Sequence, residues 1–169
     1  MKALWAPWRM EYIAAPKPRG GECLLCALQT TGDERSRLIL WRGPSACCIL
    51  NRYPYNPGHL MVSPYAHTDQ LAALPAATQQ ELIWMLGEAS AIALRVLRAE
   101  GLNCGMNIGR TAGAGIVDHL HFHIVPRWNG DTNFLPVLAD TKAMPQYLDE
   151  TYRALAPDFA ALPGGGPNA

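Results

Sequence analysis

The segment from Asp118 to Trp128, DHLHFHIVPRW, places three of the chain's five histidines at every second position. Successive side chains of a β-strand point to opposite faces, so His119, His121 and His123 are expected on one face and the intervening apolar residues on the other. The pattern therefore predicts a strand with one chemical face and one core face. A surface strand whose polar face happens to contain histidine is the simpler alternative, although chance rarely selects one residue type three times in succession.

Length and composition describe one globular domain that acts on a small molecule. The 169 residues are 49% hydrophobic and carry a formal net charge of zero. A chain of this size can bury a core of its own. Because no block of Lys or Arg stands out, the sequence gives no electrostatic basis for binding a nucleic acid or an anionic membrane surface. We therefore expect a small-molecule substrate, with no nucleic acid and no membrane as partner.

The expected location of the protein is the cytoplasm. The first ten residues, MKALWAPWRM, lack the apolar run and the cleavage site of a signal peptide, and no later run is long enough to span a bilayer. The five cysteines are an odd number, which favours reduced thiols that bind metal or pack in the core over a disulfide framework.

Short apolar runs bounded by turn residues predict an antiparallel sheet of about five strands, covered by one long helix in an α+β fold. The predicted strands are RLILW, SACCILN, GHLMVSP, LNCGMNIG and the histidine segment, which ends at Arg127. The helical pattern covers about residues 75 to 100. Pro75 or the capping-box pair Thr78 and Glu81 marks its start, and Gly101 stops it.

The remaining segments set the predicted domain boundaries. Residues 1 to 20 contain prolines and tryptophans without a clear period, which indicates an N-terminal arm. The catalytic domain is expected to cover residues 21 to 157, with a last short helix from Pro145 to Ala156. Residues 158 to 169, which end in LPGGGPNA, are expected to form a disordered tail.

Several motifs together resemble one protein family. HLHFHIVPRW matches the pattern His-φ-His-φ-His-φ-φ, in which φ is apolar, and LWAPWRMEY, NRYPYNPGHLMVSPYAH, NIGRTAGAG and PRWNGDTNF extend the likeness over most of residues 4 to 150. The sequence resembles the histidine triad superfamily, and within it the bacterial branch that includes diadenosine tetraphosphate phosphorylases. The resemblance implies a homodimer, and Trp5 and Trp8 would suit its interface, although the arm that carries them could instead fold back on its own chain.

The resemblance implies a nucleotidyl transferase or hydrolase that cleaves at the α-phosphorus of a dinucleoside polyphosphate through a nucleotidyl-histidine intermediate. His121 matches the family nucleophile, and a neutral imidazole is competent for this role near pH 7. Its other ring nitrogen needs an acceptor, which a backbone carbonyl could supply. His123 matches the position that assists the leaving group, and His59 matches a histidine that supports the triad. His123 could instead be a buried, satisfied histidine, and His59 could serve packing alone.

The resemblance also indicates substrate-binding residues. The glycine-rich loop at residues 109 to 115 could offer backbone N–H groups to phosphate oxygens, although it lacks the ending of a Walker loop. The segment PRWNGDTNF, as in phosphorylase-like members, favours inorganic phosphate as the acceptor. Gly115 stands where several family members carry Gln, Ser or Thr, which keeps water open as the alternative. The candidate positions are Asn51, Asn107, Gly113, Ala114, Gly115 and Trp128. The two asparagines could instead be ordinary turn residues.

A second group of residues has the chemistry of a metal site. The motif ECLLC spaces Cys23 and Cys26 so that one metal ion could bind both thiolates. By resemblance to zinc-containing members of the superfamily, His67 and His119 would complete a tetrahedral structural zinc site. The alternative is an unmetallated pair of small buried residues. The other cysteines are expected in the core: Cys47, Cys48 and Cys104.

Three further functions would use the same residues. The triad histidines could bind a catalytic zinc ion that has an open position for water. The chain could hydrolyse nucleoside phosphoramidates or other nucleotides, with water as the acceptor. It could also be a non-catalytic nucleotide-binding protein, because a fold can outlast its activity. Only covalent catalysis predicts that a labelled nucleotide can be trapped on the protein.

Overall fold

The structure is a computed structural model. It describes residues 23–27, 33–131 and 148–164. The predicted arm with Trp5 and Trp8 lies outside these residues, as do the predicted helix start at Pro145 and the last five residues of the predicted tail.

Five antiparallel strands form one sheet. Their bounds are Ile39–Arg42 (β1), Ala46–Leu50 (β2), Leu60–Pro64 (β3), Gly101–Met106 (β4) and Phe122–Arg127 (β5). Their order across the sheet is β1-β2-β3-β5-β4, so β4 is an edge strand and β5 lies between it and β3. The predicted five-stranded antiparallel sheet is confirmed.

One long helix covers a face of this sheet, as predicted. The helices are Leu24–Ala27 (α1), Glu34–Arg37 (α2), Ala76–Val96 (α3) and Leu148–Ala160 (α4). The helix α3 packs on β2, β3 and β5, while α4 packs against α3 and β1. Within the described ranges, no helix is both long and apolar enough to cross a bilayer.

The two faces of the sheet have different neighbours. Leu120, Phe122 and Ile124 belong to the main core beneath α3. Ile49 and Met61 belong to a smaller apolar cluster. Because side chains alternate along a strand, His123 points to the face opposite the main core. The predicted division into a core face and a chemical face is therefore correct.

The histidine segment joins the sheet later than predicted. The strand β5 begins at Phe122, so His119 and His121 precede its hydrogen-bonded ladder. The end of β3 is connected to this segment through side chains instead. The Ser63 hydroxyl donates to the Leu120 carbonyl (3.0 Å), and His119 Nε2 donates to the Pro64 carbonyl (2.8 Å).

The helix α3 begins at one of its two predicted signals. Its first residue follows Pro75 directly, but the capping box of Thr78 and Glu81 is not formed. The Glu81 carboxylate accepts instead from the Ser45 backbone N–H (3.1 Å) and from the Ser45 hydroxyl. Ser45 lies in the turn between β1 and β2, so Glu81 ties the helix to this hairpin.

The predicted stop of α3 at Gly101 is wrong. The helix ends at Val96, and Arg98 adopts the left-handed conformation with φ of 50°. Glycine usually occupies the left-handed position at a helix end, so an arginine there did not signal that the helix stops. Gly101 is instead the first residue of β4.

The last helix also differs from its prediction. The helix α4 continues to Ala160, four residues beyond the predicted end at Ala156. Phe159 is fully buried in the main core. Residues 158 to 160 of the predicted tail are therefore helical, and Phe159 belongs to the apolar face of α4.

Candidate active site

His121 has the hydrogen bonding of an imidazole nucleophile. Its side chain is 3% exposed, and its Nδ1 lies 2.8 Å from the carbonyl oxygen of His119. A carbonyl only accepts hydrogen bonds, so Nδ1 carries the proton and Nε2 keeps a lone pair in the neutral ring. Burial lowers the pKa of His121, although the bond to His119 opposes this shift, and the neutral form is favoured. The sequence predicted such a carbonyl without identifying it.

A second pair of histidines fixes the direction of a proton donor. His59 Nδ1 accepts from the Tyr55 backbone N–H (3.1 Å) and lies 3.2 Å from the Asn51 side-chain nitrogen. His59 must then carry its proton on Nε2, which donates to His123 Nδ1 at 2.9 Å. In neutral His123 the proton is therefore on Nε2. This N–H is the group that could assist a leaving oxygen.

The turn from Asn51 to His59 positions this pair. The Asn51 N–H donates to the His59 carbonyl (2.8 Å), which closes the turn between β2 and β3. Gly58 has a φ of 74°, and a Cβ at this residue would overlap the Leu97 side chain, so only glycine fits. The Tyr55 ring stacks on His59 with centroids 4.7 Å apart. His59 is fully buried as a result.

A cleft of about 460 Å³ opens beside His123. It runs over β5 and the edge strand β4. Its lining residues are Tyr55, Asn56, Asn103, Cys104, Gly105, Met106, Asn107, His123, Val125 and Arg127. The ring of His121 lies next to that of His123, with centroids 4.8 Å apart. Gly105 pairs with His123 in the sheet, and a Cβ on it would meet no atom within 4 Å, so this part of the cleft is open.

Backbone hydrogen bonds of the predicted phosphate loop, residues 109 to 115, close within the loop. Residues Arg110–Ala112 form a 3-10 turn. The N–H of Gly113 donates to the Arg110 carbonyl (3.0 Å), and that of Ala114 to the Gly109 carbonyl (3.4 Å). Gly113, Ala114 and Gly115 do not line the cleft. Phosphate binding by these residues stays a prediction.

The other predicted substrate residues lie in different places. Asn107 lines the cleft, whereas Asn51 and Trp128 do not. The Asn51 side chain is close to His59 and accepts from the Tyr53 N–H (2.9 Å). The Trp128 indole donates to the Arg98 carbonyl (3.0 Å), just beyond α3. Their contacts with a substrate also stay predictions.

Sequence reasoning missed a polar network at the far end of the cleft. The Arg127 guanidinium donates twice to Asp131, from Nε (2.6 Å) and Nη2 (2.8 Å), and from Nη1 to the Asn103 side chain (2.8 Å). The buried Asn56 side chain also donates to Asp131 (2.8 Å). The four-residue spacing of Arg127 and Asp131 was the one signal in the sequence.

The predicted metal ligands converge. Cys23, Cys26, His67 and His119 place one ligand atom each within 4.8 Å of one another, so this cluster could bind a metal ion. The Sγ atoms lie 3.3 to 3.4 Å from the nearest imidazole Nδ1 atoms. His119 donates from Nε2 to the Pro64 carbonyl, which leaves Nδ1 unprotonated toward the cysteines. Two thiolates and two imidazoles suit tetrahedral zinc.

This cluster does not include the other triad histidines. In the described part of the chain, no second group of three or more His, Cys, Asp or Glu side chains could hold a metal ion. His119 faces the cysteines, while His121 uses Nδ1 on a carbonyl, so the geometry does not favour the catalytic zinc site considered from the sequence. Cys47 and Cys48 are buried as predicted. Cys104 is exposed on the edge strand, so its assignment to the core was wrong.

Comparison with known proteins identifies the family. A model of the HIT domain matches residues 33–130. The chain belongs to the HIT family. An AP-4-A phosphorylase from Mycobacterium tuberculosis is 38% identical to this HIT chain over 169 residues, covering 96% of this chain and 87% of the relative. An asymmetrical bis(5'-nucleosyl)-tetraphosphatase from Schizosaccharomyces pombe is 28% identical over 55% of this chain and 50% of its own length.

A solved structure supports the HIT fold. A zinc-bound histidine triad family protein from Mycobacterium smegmatis superposes with a TM-score of 0.64 and 28% sequence identity. The match covers 82% of this chain and 94% of that protein. The predicted family is thus correct, and the architecture described above is that of a HIT protein.

Proposed function

We propose that this HIT protein transfers a nucleotidyl group from a dinucleoside polyphosphate, with diadenosine tetraphosphate as the expected substrate, through His121. The proposal depends chiefly on the hydrogen bond from His121 Nδ1 to the His119 carbonyl, which leaves Nε2 as an unprotonated nucleophile. The 38% identity to an AP-4-A phosphorylase supports the choice of substrate.

In the first step, His121 Nε2 attacks the α-phosphorus. A nitrogen–phosphorus bond forms while the bond from that phosphorus to its bridging oxygen breaks. The His123 Nε2–H donates a hydrogen bond to the departing oxygen and stabilises its developing negative charge, and His59 holds the His123 ring so that this N–H faces the substrate. From diadenosine tetraphosphate the products are ATP and AMP bound to His121.

In the second step, an acceptor removes the nucleotidyl group. An unprotonated oxygen of inorganic phosphate attacks the phosphorus, and the bond to His121 Nε2 breaks. The product is ADP, and His121 returns to its starting state. Water in the same role would give AMP and release a proton to the solvent. The similarity to a phosphorylase favours phosphate, whereas Gly115 and the tetraphosphatase relative keep hydrolysis as the second candidate.

The predicted substrate contacts complete the proposal. Asn107 would hydrogen-bond near the phosphate, since it lines the cleft beside His123. Asn51 and Trp128 would contribute to the nucleotide site from its borders. The loop N–H groups of residues 113 to 115 would reach phosphate oxygens only after the internal bonds of the loop open.

We propose a structural zinc ion for the four-ligand cluster. Cys23, Cys26, His67 and His119 would hold it, and the zinc-bound relative supports the choice of metal. Zinc would supply only a closed tetrahedral cross-link, with no open position for catalysis. The link would join α1 to the segment that carries the nucleophile.

A homodimer stays part of the proposal. Exposed apolar side chains on α3, including Ile83 and Leu94, offer a surface for a second copy. Small-angle scattering at micromolar concentration should give the mass of two chains. A compact monomer would contradict the dimer without affecting the chemistry of one chain.

The test of function separates products and traps the intermediate. The purified protein is mixed with α-labelled diadenosine tetraphosphate, with and without phosphate. We expect ATP and ADP with phosphate, together with an acid-labile label on the protein after brief mixing. AMP in place of ADP would identify water as the acceptor, and a protein that binds the substrate but never forms products would be a binding protein.

The variant His121→Ala should lower kcat by at least about a thousandfold, as expected when a covalent nucleophile is deleted, and should still bind nucleotide. Gln80→Ala, an exposed change on α3, serves as the control and should match the original rate. If His121→Ala keeps more than about a tenth of the rate, equivalent to about 1.4 kcal/mol, the mechanism is wrong.

A further inference from the structure

The cleft continues well past the reacting histidines. His123, Val125 and Arg127 lie on one face of β5, since residues two apart share a face. Asn103 pairs with Val125 across the sheet, and Gly105 pairs with His123. The Arg127 guanidinium donates to the Asn103 side chain (2.8 Å). The Asn103–Val125 pair lies two residues along the strands from the Gly105–His123 pair. Two residues of a strand span about 7 Å.

This distance corresponds to a short chain of phosphates. In the proposed reaction the His123 Nε2–H hydrogen-bonds to the departing oxygen, so the leaving group lies on the His123 side of the α-phosphorus. His123 and Arg127 both line the cleft. A polyphosphate leaving group that follows the cleft therefore brings its distal phosphates toward the guanidinium.

Arg127 is held in place before any ligand arrives. Asp131 accepts from its Nε and Nη2, and Asn103 accepts from its Nη1, so the plane of the guanidinium is fixed. The ordering of a long side chain commonly costs binding free energy, and here that cost is already met by protein contacts. Guanidinium also matches phosphate geometry better than an ammonium group does.

The charge of Asp131 is shared among several donors. Besides Arg127, it accepts from the buried Asn56 side chain (2.8 Å) and from the Trp128 backbone N–H (3.2 Å). These neutral dipoles stabilise the carboxylate, so Arg127 is not its only partner. A partly exposed ion pair of this kind contributes little to stability, so stability alone does not account for the number of donors around Asp131.

We propose that Arg127, oriented by Asp131 and Asn103, binds the distal phosphates of the leaving group and so selects polyphosphate substrates. This inference depends on the proposed function, because it assigns the cleft to the leaving group of that reaction. It predicts a preference for a leaving group that carries several phosphates over one that carries none.

The test compares two substrates that would form the same adenylyl-histidine. Diadenosine tetraphosphate has a polyphosphate leaving group, whereas adenosine 5'-phosphoramidate loses ammonia. The readout is kcat/KM for diadenosine tetraphosphate divided by kcat/KM for adenosine 5'-phosphoramidate. Arg127→Met should lower this ratio at least tenfold, mainly through a higher KM for diadenosine tetraphosphate. The matched control is Arg95→Met, since Arg95 also forms an ion pair, with Asp158, but lies outside the cleft. Its ratio should stay unchanged.

A purely structural Arg127 would give a different result. Loss of the network would then lower both kcat/KM values together and leave their ratio unchanged, which would overturn the proposal. If Arg127→Met does not fold, Arg127→Gln removes the charge and keeps hydrogen-bonding groups toward Asp131 and Asn103. The same tenfold loss of selectivity is expected for it.

Direct binding separates this proposal from the proposed function. Calorimetry with inorganic tripolyphosphate should show at least tenfold weaker binding to Arg127→Met than to the unmodified chain or to Arg95→Met. If the unmodified chain turns over neither substrate, the proposed function fails, while this measurement still tests the anion site. Equal binding by all three proteins would refute the site, whatever the outcome of the kinetic test.

Discussion

The side chain of His121 donates from Nδ1 to the backbone carbonyl of His119, two residues earlier in the chain. His119 in turn directs its own Nδ1 to Cys23 and Cys26. One residue therefore serves the candidate metal site through its side chain and the candidate nucleophile through its backbone. Movement of His119 would be transmitted to His121 without any intervening side chain.

The proton positions can be measured without any substrate. Long-range hydrogen–nitrogen NMR correlations on histidine-labelled protein should show neutral His121 with its proton on Nδ1, and His59 and His123 with theirs on Nε2. These assignments follow from acceptors that cannot donate and donors that cannot accept. A proton on Nε2 of neutral His121 would remove the basis for its role as nucleophile.

The hydrogen bond from His59 to His123 can be tested by a single substitution. His59→Phe keeps an aromatic ring against Tyr55 but cannot donate to His123. We expect the His123 tautomer to become mixed and kcat to fall by about 10² or more, within the range for loss of a hydrogen-bond donor that stabilises developing charge. Tyr55→Phe is the control, because the bond to His59 comes from the Tyr55 backbone. If the His123 tautomer is unchanged in His59→Phe, the hydrogen bond from His59 does not control the proton position of His123.

Metal content should depend on the four ligands and on no other cysteine. Protein purified without chelators or metal-affinity steps is expected to contain one zinc ion per chain by elemental analysis. Cys26→Ser should lose the metal and lower the melting temperature more than it lowers the activity of the folded fraction, because zinc binding contributes to folding. Cys104→Ser, an exposed change outside the cluster, should keep both. Zinc far below one per chain in the unmodified protein would refute the site.

The cysteines outside the cluster should differ sharply in reactivity. Burial raises the pKa of Cys47 to about 12 and that of Cys48 well above its ordinary value. At pH 8 only about one Cys47 in ten thousand would be a thiolate, which is the reactive form. Native protein treated with iodoacetamide should therefore be modified at Cys104 and spared at the other two, as read by peptide mass spectrometry. Denatured protein is the control, and modification of Cys47 before Cys104 would disagree with the fold.

Stability should depend on the part of the last helix that lies beyond residue 157. Phe159→Ala removes a fully buried ring and should lower the free energy of unfolding by about 3 to 5 kcal/mol. Ala154→Gly, at an exposed position of the same helix, should cost only about 1 kcal/mol. Urea denaturation measures both. Equal effects of the two changes would mean that Phe159 is not part of the core.

The predictable features were those written in local patterns. The two-residue alternation around His121 specified which side chains enter the core, and ECLLC placed two thiolates at a metal-binding spacing. Contacts between segments far apart in the chain had no corresponding pattern in the sequence. Glu81 was assigned to a helix cap, but a Ser45 that the sheet brings nearby competes for its carboxylate. Arg98 likewise takes a left-handed conformation that sequence alone assigns to glycine.

The site shows the same division. The residue types at His59, His121 and His123 could be matched to roles from the sequence. Their proton positions, however, depend on the turn from Asn51 to His59 and on the His119 carbonyl, which lies before the start of β5. Asp131 was missed because its importance comes from Asn56, which lies 75 residues earlier in the chain. Such a network requires the tertiary fold before it can be recognised.

The residues just beyond α3 set limits on how this protein can change in length. Leu97 occupies the space beneath Gly58, and the Arg98 carbonyl holds the Trp128 indole. An insertion or deletion here would displace both the turn at Gly58 and the Trp128 side chain. The loop at residues 109 to 115 differs, because the backbone hydrogen bonds of Gly113 and Ala114 close within the loop itself. Engineered changes in length should therefore leave folding intact in this loop, although they would disturb its proposed phosphate contacts, whereas at Leu97 they should disrupt the fold.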